Sequence, residues 1–210
     1  NSNNSSNNNN NNNYMPQKDN NNNDKYYKKN SILKSKNLGD LKLIAPLGVG
    51  AEAIVWKVKS SINNNQYAVK IHSLKSDVKS GYHNVEKERL DNYNNEINIL
   101  NKLKGKEIVP EIYDNWIKDI DNNNQDGYIV MELLLSESPT TQTKEEIYQK
   151  LINKMNKLHN YGISMIDFHE YNFAFTHDGT DVRLIDFGYS KDYTGLNPTE
   201  KHSHSYNVDK

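Results

Sequence analysis

In the stretch "ISMIDFHEYNFAF", residues 163–175, an aspartate, Asp167, is followed five positions later by Asn172, with His169 between them. A carboxylate buried among apolar side chains is costly without a partner, so Asp167 reads as a group with a counter-charge, a metal or a chemical task. A lysine interrupts a second apolar run: Lys70 closes "YAVK". Held inward, an ammonium there pairs with phosphate oxygens and needs an acid to fix it; held outward, it is a lysine reaching solvent from an edge strand. Glu96 offers the acid. It lies three residues after Tyr93 and four before Leu100, hence on the apolar face of its helix, whereas Glu86 and Glu88 fall near the helix start and rank lower.

Gly48, Gly50 and Ala53 have the spacing of a glycine-rich phosphate loop, set between two strands. That context argues against a dinucleotide-binding turn, which joins a strand to a helix. It fits a hairpin lying over nucleotide phosphates, where small residues let backbone N–H groups come close.

These residues need elements to position them. "LKLIAPLGVGAEAIVWKVK", residues 41–59, alternates apolar and polar residues around the glycines and predicts two strands. "NNNQYAVKIHS" adds a third, and "IVPEIYDNWI" and "GYIVMELLL" two more, joined by the polar loop "DNNNQDG". Residues 84–104 predict a helix, with Tyr93, Ile97, Leu100 and Leu103 recurring at spacings of four, three and three and Gly105 as its stop. After Pro139, a stripe of Ile147, Leu151, Met155 and Leu158 predicts a second helix ending near Gly162.

Composition limits the alternatives. The chain has 210 residues, a net charge of -1 and no cysteine. Disulfides and thiolate metal sites are therefore excluded, and no global basic field argues for nucleic acid or an anionic membrane. No apolar run approaches membrane-spanning length. Residues 1–37, Asn-rich and then lysine-bearing, predict a disordered tail and a basic arm; regular apolar patterning runs over 38–190; residues 191–210 form a polar tail in which His202 and His204 read as solvated. The first residue is Asn, which leaves open that the chain is a fragment.

Taken in order, "GVGAEA", "YAVK", "NEINIL", "YIVMELL", the pair Asp167 and Asn172, and "LIDFG" resemble the protein kinase superfamily over residues 38–190. The resemblance implies an α+β, bilobal fold: a five-stranded antiparallel sheet with one helix over 38–135, and a reduced, mainly helical lobe over 136–190. It implies ATP and Mg2+ in the cleft between the lobes. Asp167 would be the catalytic-loop base at the acceptor hydroxyl, Asn172 and Asp186 the magnesium ligands, and Lys70 with Glu96 the phosphate-holding ion pair. The aromatic and aliphatic neighbours of Asp167 would pack the loop and exclude water. Leu47, Gly48, Val49, Gly50, Ala51, Glu52 and Ala53 would cover the nucleotide. Val55 and Ala68 would roof the adenine pocket, Met131 would stand at its back, and the backbone of Glu132 and Leu134 would meet the adenine edge.

The sequence also departs from that pattern. Met165 and Ile166 replace the His-Arg pair that precedes the catalytic aspartate in the family, which removes the usual receptor for a phosphorylated activation loop. His169 stands where many protein kinases have lysine, a likeness to small-molecule kinases of the aminoglycoside and choline type, although local packing accounts for it equally well. Twenty-two residues follow Gly188, without an "APE"-like stretch. In this economy the chain is similar to the RIO kinases and the KEOPS-associated kinase; "GAEA", "GYH" and "IVP" look like the latter.

The expectation is a Ser/Thr protein kinase in a reducing, cytoplasmic setting, acting on a protein hydroxyl, with a partner subunit completing the reduced lobe. A small-molecule kinase and a pseudokinase scaffold are the alternatives.

Overall fold

The structure, a computed structural model, describes residues 27–50, 52–75 and 84–195. The Asn-rich start, Ala51, the "GYH" string, His202 and His204 lie outside the described residues.

The chain folds as strands β1 (Ile32–Ser35), β2 (Gly39–Val49), β3 (Ala53–Ser60) and β4 (Gln66–Lys75), helix α1 (Val85–Lys102), and strands β5 (Ile112–Asp119) and β6 (Gln125–Met131). Helix α2 (Lys144–Asn160) and short strands β7 (Ile163–Ser164), β8 (Phe173–Phe175), β9 (Val182–Leu184) and β10 (Lys191–Asp192) follow. The first six strands form one antiparallel sheet in the order β1-β2-β3-β4-β6-β5.

One expectation is corrected here. The sheet has six strands, because β1 arises inside the segment read as a basic arm. Among its lysines, Leu33 and Ser35 alternate inward, and Tyr27 is buried with its hydroxyl donating to Asp126 and within 2.5 Å of the Tyr128 hydroxyl. A four-residue strand between charged neighbours is too short to stand out by periodicity. Among the described residues after Met131 stand one 17-residue helix and four strands of two or three residues, paired β7 with β10 and β8 with β9. Their two- and three-residue ladders fix loops in place, which needs hydrogen bonds more than a continuous apolar stripe.

β4 explains how Lys70 faces inward. Alternation sends Tyr67, Val69 and Ile71 into one core with Trp56, Val58, Tyr128 and Val130, and Ala68 and Leu74 into a second core on the opposite face. Lys70 and His72 share the second face, pairing across the sheet with Val55 and Ile129, and with Ala53 and Gly127. That face receives α1, whose buried residues are Tyr93, Glu96, Ile99 and Leu100, with Ile97 packed at the edge. The helix can sit close because residue 127 is glycine: a Cβ there would lie 2.6 Å from the Tyr93 ring. The Tyr93 hydroxyl is shared between the carbonyls of Trp116 (3.0 Å) and Tyr128 (3.2 Å).

The second core also takes Leu158 of α2, Ile163, Met165, Leu184 and Phe187, so the two parts of the chain bury apolar surface against each other. α2 starts at a capping box: the Thr143 hydroxyl accepts from the Glu146 N–H, and the Glu146 carboxylate accepts from the Thr143 N–H. No helix among the described residues is long and apolar enough to cross a membrane.

Candidate functional site

Lys70 donates to both oxygens of Glu96 (2.9 and 2.8 Å) and to Asp186 (3.0 Å). Burial alone would lower the Lys70 ammonium; the carboxylates of Glu96 and then Asp186 outweigh it and hold the pKa above its ordinary value. Burial would likewise raise Glu96, but the ammonium of Lys70, with the imidazole of His72, brings it from 4.5 down to about 2. Glu96 is 2 % exposed, so its charge is matched at short range. Glu86 and Glu88 are exposed in the first turn of α1 and take no part in this pair.

Asp186 has φ +68°, a left-handed conformation that a non-glycine residue adopts at a cost. The residues on either side impose it. Phe187 is fully buried in the core, while the Ile185 N–H donates to the Asn172 carbonyl (2.8 Å). Between these two anchors the Asp186 carboxylate is turned outward, with its side chain 58 % exposed.

Asn172 fastens the loop of Asp167 to this segment. It is buried, its Oδ1 accepts from the His169 N–H (2.9 Å), and its own N–H donates to the His169 carbonyl (3.0 Å). Met165, Asp167, His169, Asn172, Asp186, Tyr189 and Ser190 line one cavity. The fold thus gathers Asp167, Asn172 and Asp186 about a single space and links Asp186 to Lys70 and Glu96.

Asp167 itself is exposed, and so are Ile166, Phe168 and Tyr171 beside it, whereas Ile163, Met165, Ala174 and Phe175 of the same stretch are buried. The expectation that the neighbours pack the loop and exclude water is therefore corrected for Ile166, Phe168 and Tyr171. Each belongs to a stretch without strand or helix pairing, so no face of an element directs it inward.

The glycine turn is open. A Cβ on Gly48 would meet nothing within 4 Å, and one on Gly50 would find the Ala53 carbonyl oxygen at 3.5 Å. The hairpin closes through the Gly50 N–H to Ala53 oxygen bond (2.8 Å), while Leu47 and Val49 project outward. Among the described residues nothing crowds Gly48 or Gly50, which leaves room beside the backbone. Glu52 and Ala53 are half-buried, and the Tyr189 hydroxyl lies 3.5 Å from a Glu52 oxygen.

On the sheet side, Ala68 and Met131 are cross-strand partners and share the second core with Val55, Leu133, Phe173 and Leu184. The Glu132 N–H is taken by the Glu111 carbonyl (2.8 Å), so an adenine-edge role for its backbone falls to its own carbonyl. The Glu132 side chain approaches Arg183 (3.5 Å). Leu134 is half-buried next to Leu135, which exchanges two backbone bonds with Phe175 and holds this connection against β8.

Two neighbours of the site escape motif reading. His72 Nε2 lies 3.3 Å from a Glu96 carboxylate oxygen, and the Asn95 carboxamide reaches the backbone after Asp186. Their only sequence signals were proximity: two positions beyond Lys70 on the same strand face, and one before Glu96.

The donor set suits magnesium. Among the described residues no group of three or more His, Cys, Asp or Glu side chains could hold a metal ion, whereas Mg2+ commonly takes one or two carboxylates and fills its remaining sites with phosphate oxygens and water. Asp186, turned outward, would offer one carboxylate, and Asn172, whose Oδ1 has spent one of its two acceptor sites, one carboxamide oxygen.

A family model for the protein kinase domain matches residues 41–207. Over 164 residues the chain is 27 % identical to the serine/threonine-protein kinase MPS1 of Encephalitozoon cuniculi, an alignment covering 72 % of this chain and 24 % of that relative. The chain thus spans about a quarter of the relative's length. The sheet with its glycine turn, the ion pair between β4 and α1 and the shared cavity agree with that match, and the chain belongs to the protein kinase domain family.

Proposed function

We propose that the chain is an ATP- and Mg2+-dependent phosphotransferase that transfers the γ-phosphate to a Ser or Thr hydroxyl of a protein. The observation that carries this reading is the Lys70 ammonium bound at once to Glu96 and Asp186. A pure scaffold has no chemical need to bury that pair and turn a carboxylate toward an open cavity.

In this reading the backbone of residues 47–53 lies over the nucleotide, Val55, Ala68 and Met131 enclose the adenine, and the Glu132 carbonyl and the Leu134 backbone meet its edge. Lys70 positions the phosphates, with Glu96 fixing the ammonium. Asp186 and Asn172 hold magnesium, which when bound neutralises charge on the phosphate oxygens. Asp167, exposed at the cavity, orients the acceptor hydroxyl and takes its proton as the oxygen bonds to phosphorus and the bond to the ADP oxygen breaks. Serine/threonine preference draws on the likeness to the serine/threonine-protein kinase MPS1.

His169 favours a second reading. It lines the cavity, and its Nδ1 accepts from the Tyr171 N–H (3.3 Å), which leaves Nε2–H as a donor for the transferring phosphate; this suits a small-molecule kinase of the aminoglycoside or choline type.

The test is transfer from radiolabelled ATP by the purified chain, with generic protein substrates beside hydroxylated metabolites. Asp167→Ala should lower transfer by about a hundredfold or more while ATP with magnesium still raises the melting temperature. Labelled metabolite without labelled protein would favour the second reading, and neither label nor thermal shift would leave a scaffold.

A further inference from the structure

Asn95 precedes Glu96 on α1, and its side-chain nitrogen lies within hydrogen-bond distance of three backbone oxygens: Phe187 (3.0 Å), Gly188 (3.0 Å) and Ser190 (2.7 Å). These belong to the turn that begins just after Asp186, closed by the Ser190 N–H to Phe187 carbonyl bond (3.0 Å). A carboxamide has two N–H bonds, so the three acceptors share two donors, and the amide orientation is fixed: the opposite flip would set an oxygen against three oxygens.

We propose that Asn95 is a positioning residue that registers α1 against the 187–190 turn, so that Glu96 and Asp186 reach Lys70 together and the Asp186 carboxylate faces the cavity. The geometry is specific. Glu96 is carried by the helix and Asp186 by the turn, and Lys70 connects them through their carboxylates alone. Asn95 joins the same two segments through backbone, one residue from each carboxylate-bearing position on the helix side and the turn side. If Lys70 shifts its bonds toward phosphate oxygens, the Asn95 link remains to keep the helix and the turn in register. Hydrogen-bonded supports behind a metal-binding carboxylate commonly govern metal affinity in this way.

The inference rests on the phosphotransferase reading for its activity readout, so the experiment also reads structure directly. The full chain, Asn95→Leu and Asn95→Gln are compared by amide hydrogen exchange and by phosphate transfer at varied magnesium. Asn95→Leu keeps the approximate volume without donors; Asn95→Gln restores the amide on a longer stem. The expected result is faster exchange confined to residues 187–190, unchanged exchange in α2, and about a tenfold higher magnesium requirement for Asn95→Leu, each recovered at least in part by Asn95→Gln.

Unchanged exchange at 187–190, or loosening that extends equally through α2, overturns the proposal. If Asn95→Leu does not fold, Asn95→Asp, which keeps the shape and sets a carboxylate against the three carbonyls, is judged by the same two criteria. If the wild-type chain transfers no phosphate, the functional reading fails by itself and local exchange alone decides the role of Asn95.

Discussion

Lys70 and Asp186, 116 positions apart, meet at 3.0 Å, and the same ammonium is 2.8 Å from Glu96. Because Glu96 is almost wholly buried, Lys70 is both a candidate phosphate ligand and the counter-charge that lets the acid remain ionised.

Replacing Lys70 with Met should therefore act on stability as well as transfer. Leaving one member of a buried ion pair unpartnered costs about 3–5 kcal/mol, and loss of a charge-stabilising donor lowers turnover by about 10²–10³-fold. Urea unfolding should show the destabilisation, and Lys70→Met combined with Glu96→Gln should recover part of it. A single variant as stable as wild type would show that His72 or water satisfies the acid.

Acid should weaken the fold through Glu96. Its pKa is about 2 in the folded chain against an ordinary 4.5, so the unfolded chain binds the proton first as pH falls. The stabilisation is complete above about pH 4.5 and disappears as pH drops toward 2. Melting temperatures from pH 6 to pH 2 should decline less steeply in Glu96→Gln; parallel curves would remove Glu96 from the acid response.

Gly127→Ala should loosen the seat of α1. The added Cβ would stand 2.6 Å from Tyr93, whose ring is buried and cannot swing to solvent. A cost of about 1–3 kcal/mol is expected from overpacking, and Tyr93→Leu in the same background should relieve part of it. Equal stability of Gly127→Ala and wild type in chemical denaturation would contradict the close approach.

Asp186→Asn should separate metal from nucleotide. The variant keeps a side chain of the same shape near Lys70 but lowers the charge offered to a cation. The thermal shift caused by ATP should lose its dependence on magnesium, while any shift by ATP alone persists. An undiminished magnesium effect would place the cation elsewhere.

What the sequence determined by itself was local or ordered along the chain. Both helices, the β2–β3 glycine hairpin and the strand of Lys70 followed from period and turn chemistry, because each element's apolar face is written in consecutive residues. The order of the polar motifs pointed to the family, and the position of Glu96 between Tyr93 and Leu100 placed it on the buried face.

The tertiary structure decided what depends on partners distant in sequence. β1 is a strand because β2 pairs with it and buries Leu33; Tyr27 is buried where its hydroxyl donates to Asp126 and meets the Tyr128 hydroxyl. Nothing in "ISMIDFHEYNFAF" told that Asp167, Ile166 and Phe168 would stay exposed while Asn172 and Met165 turned inward, since irregular backbone has no period to assign its faces. Asn95 acquired its role from carbonyl oxygens more than ninety residues away. Sequence sets which residues can share a face, whereas packing and backbone hydrogen bonding choose which of them meet.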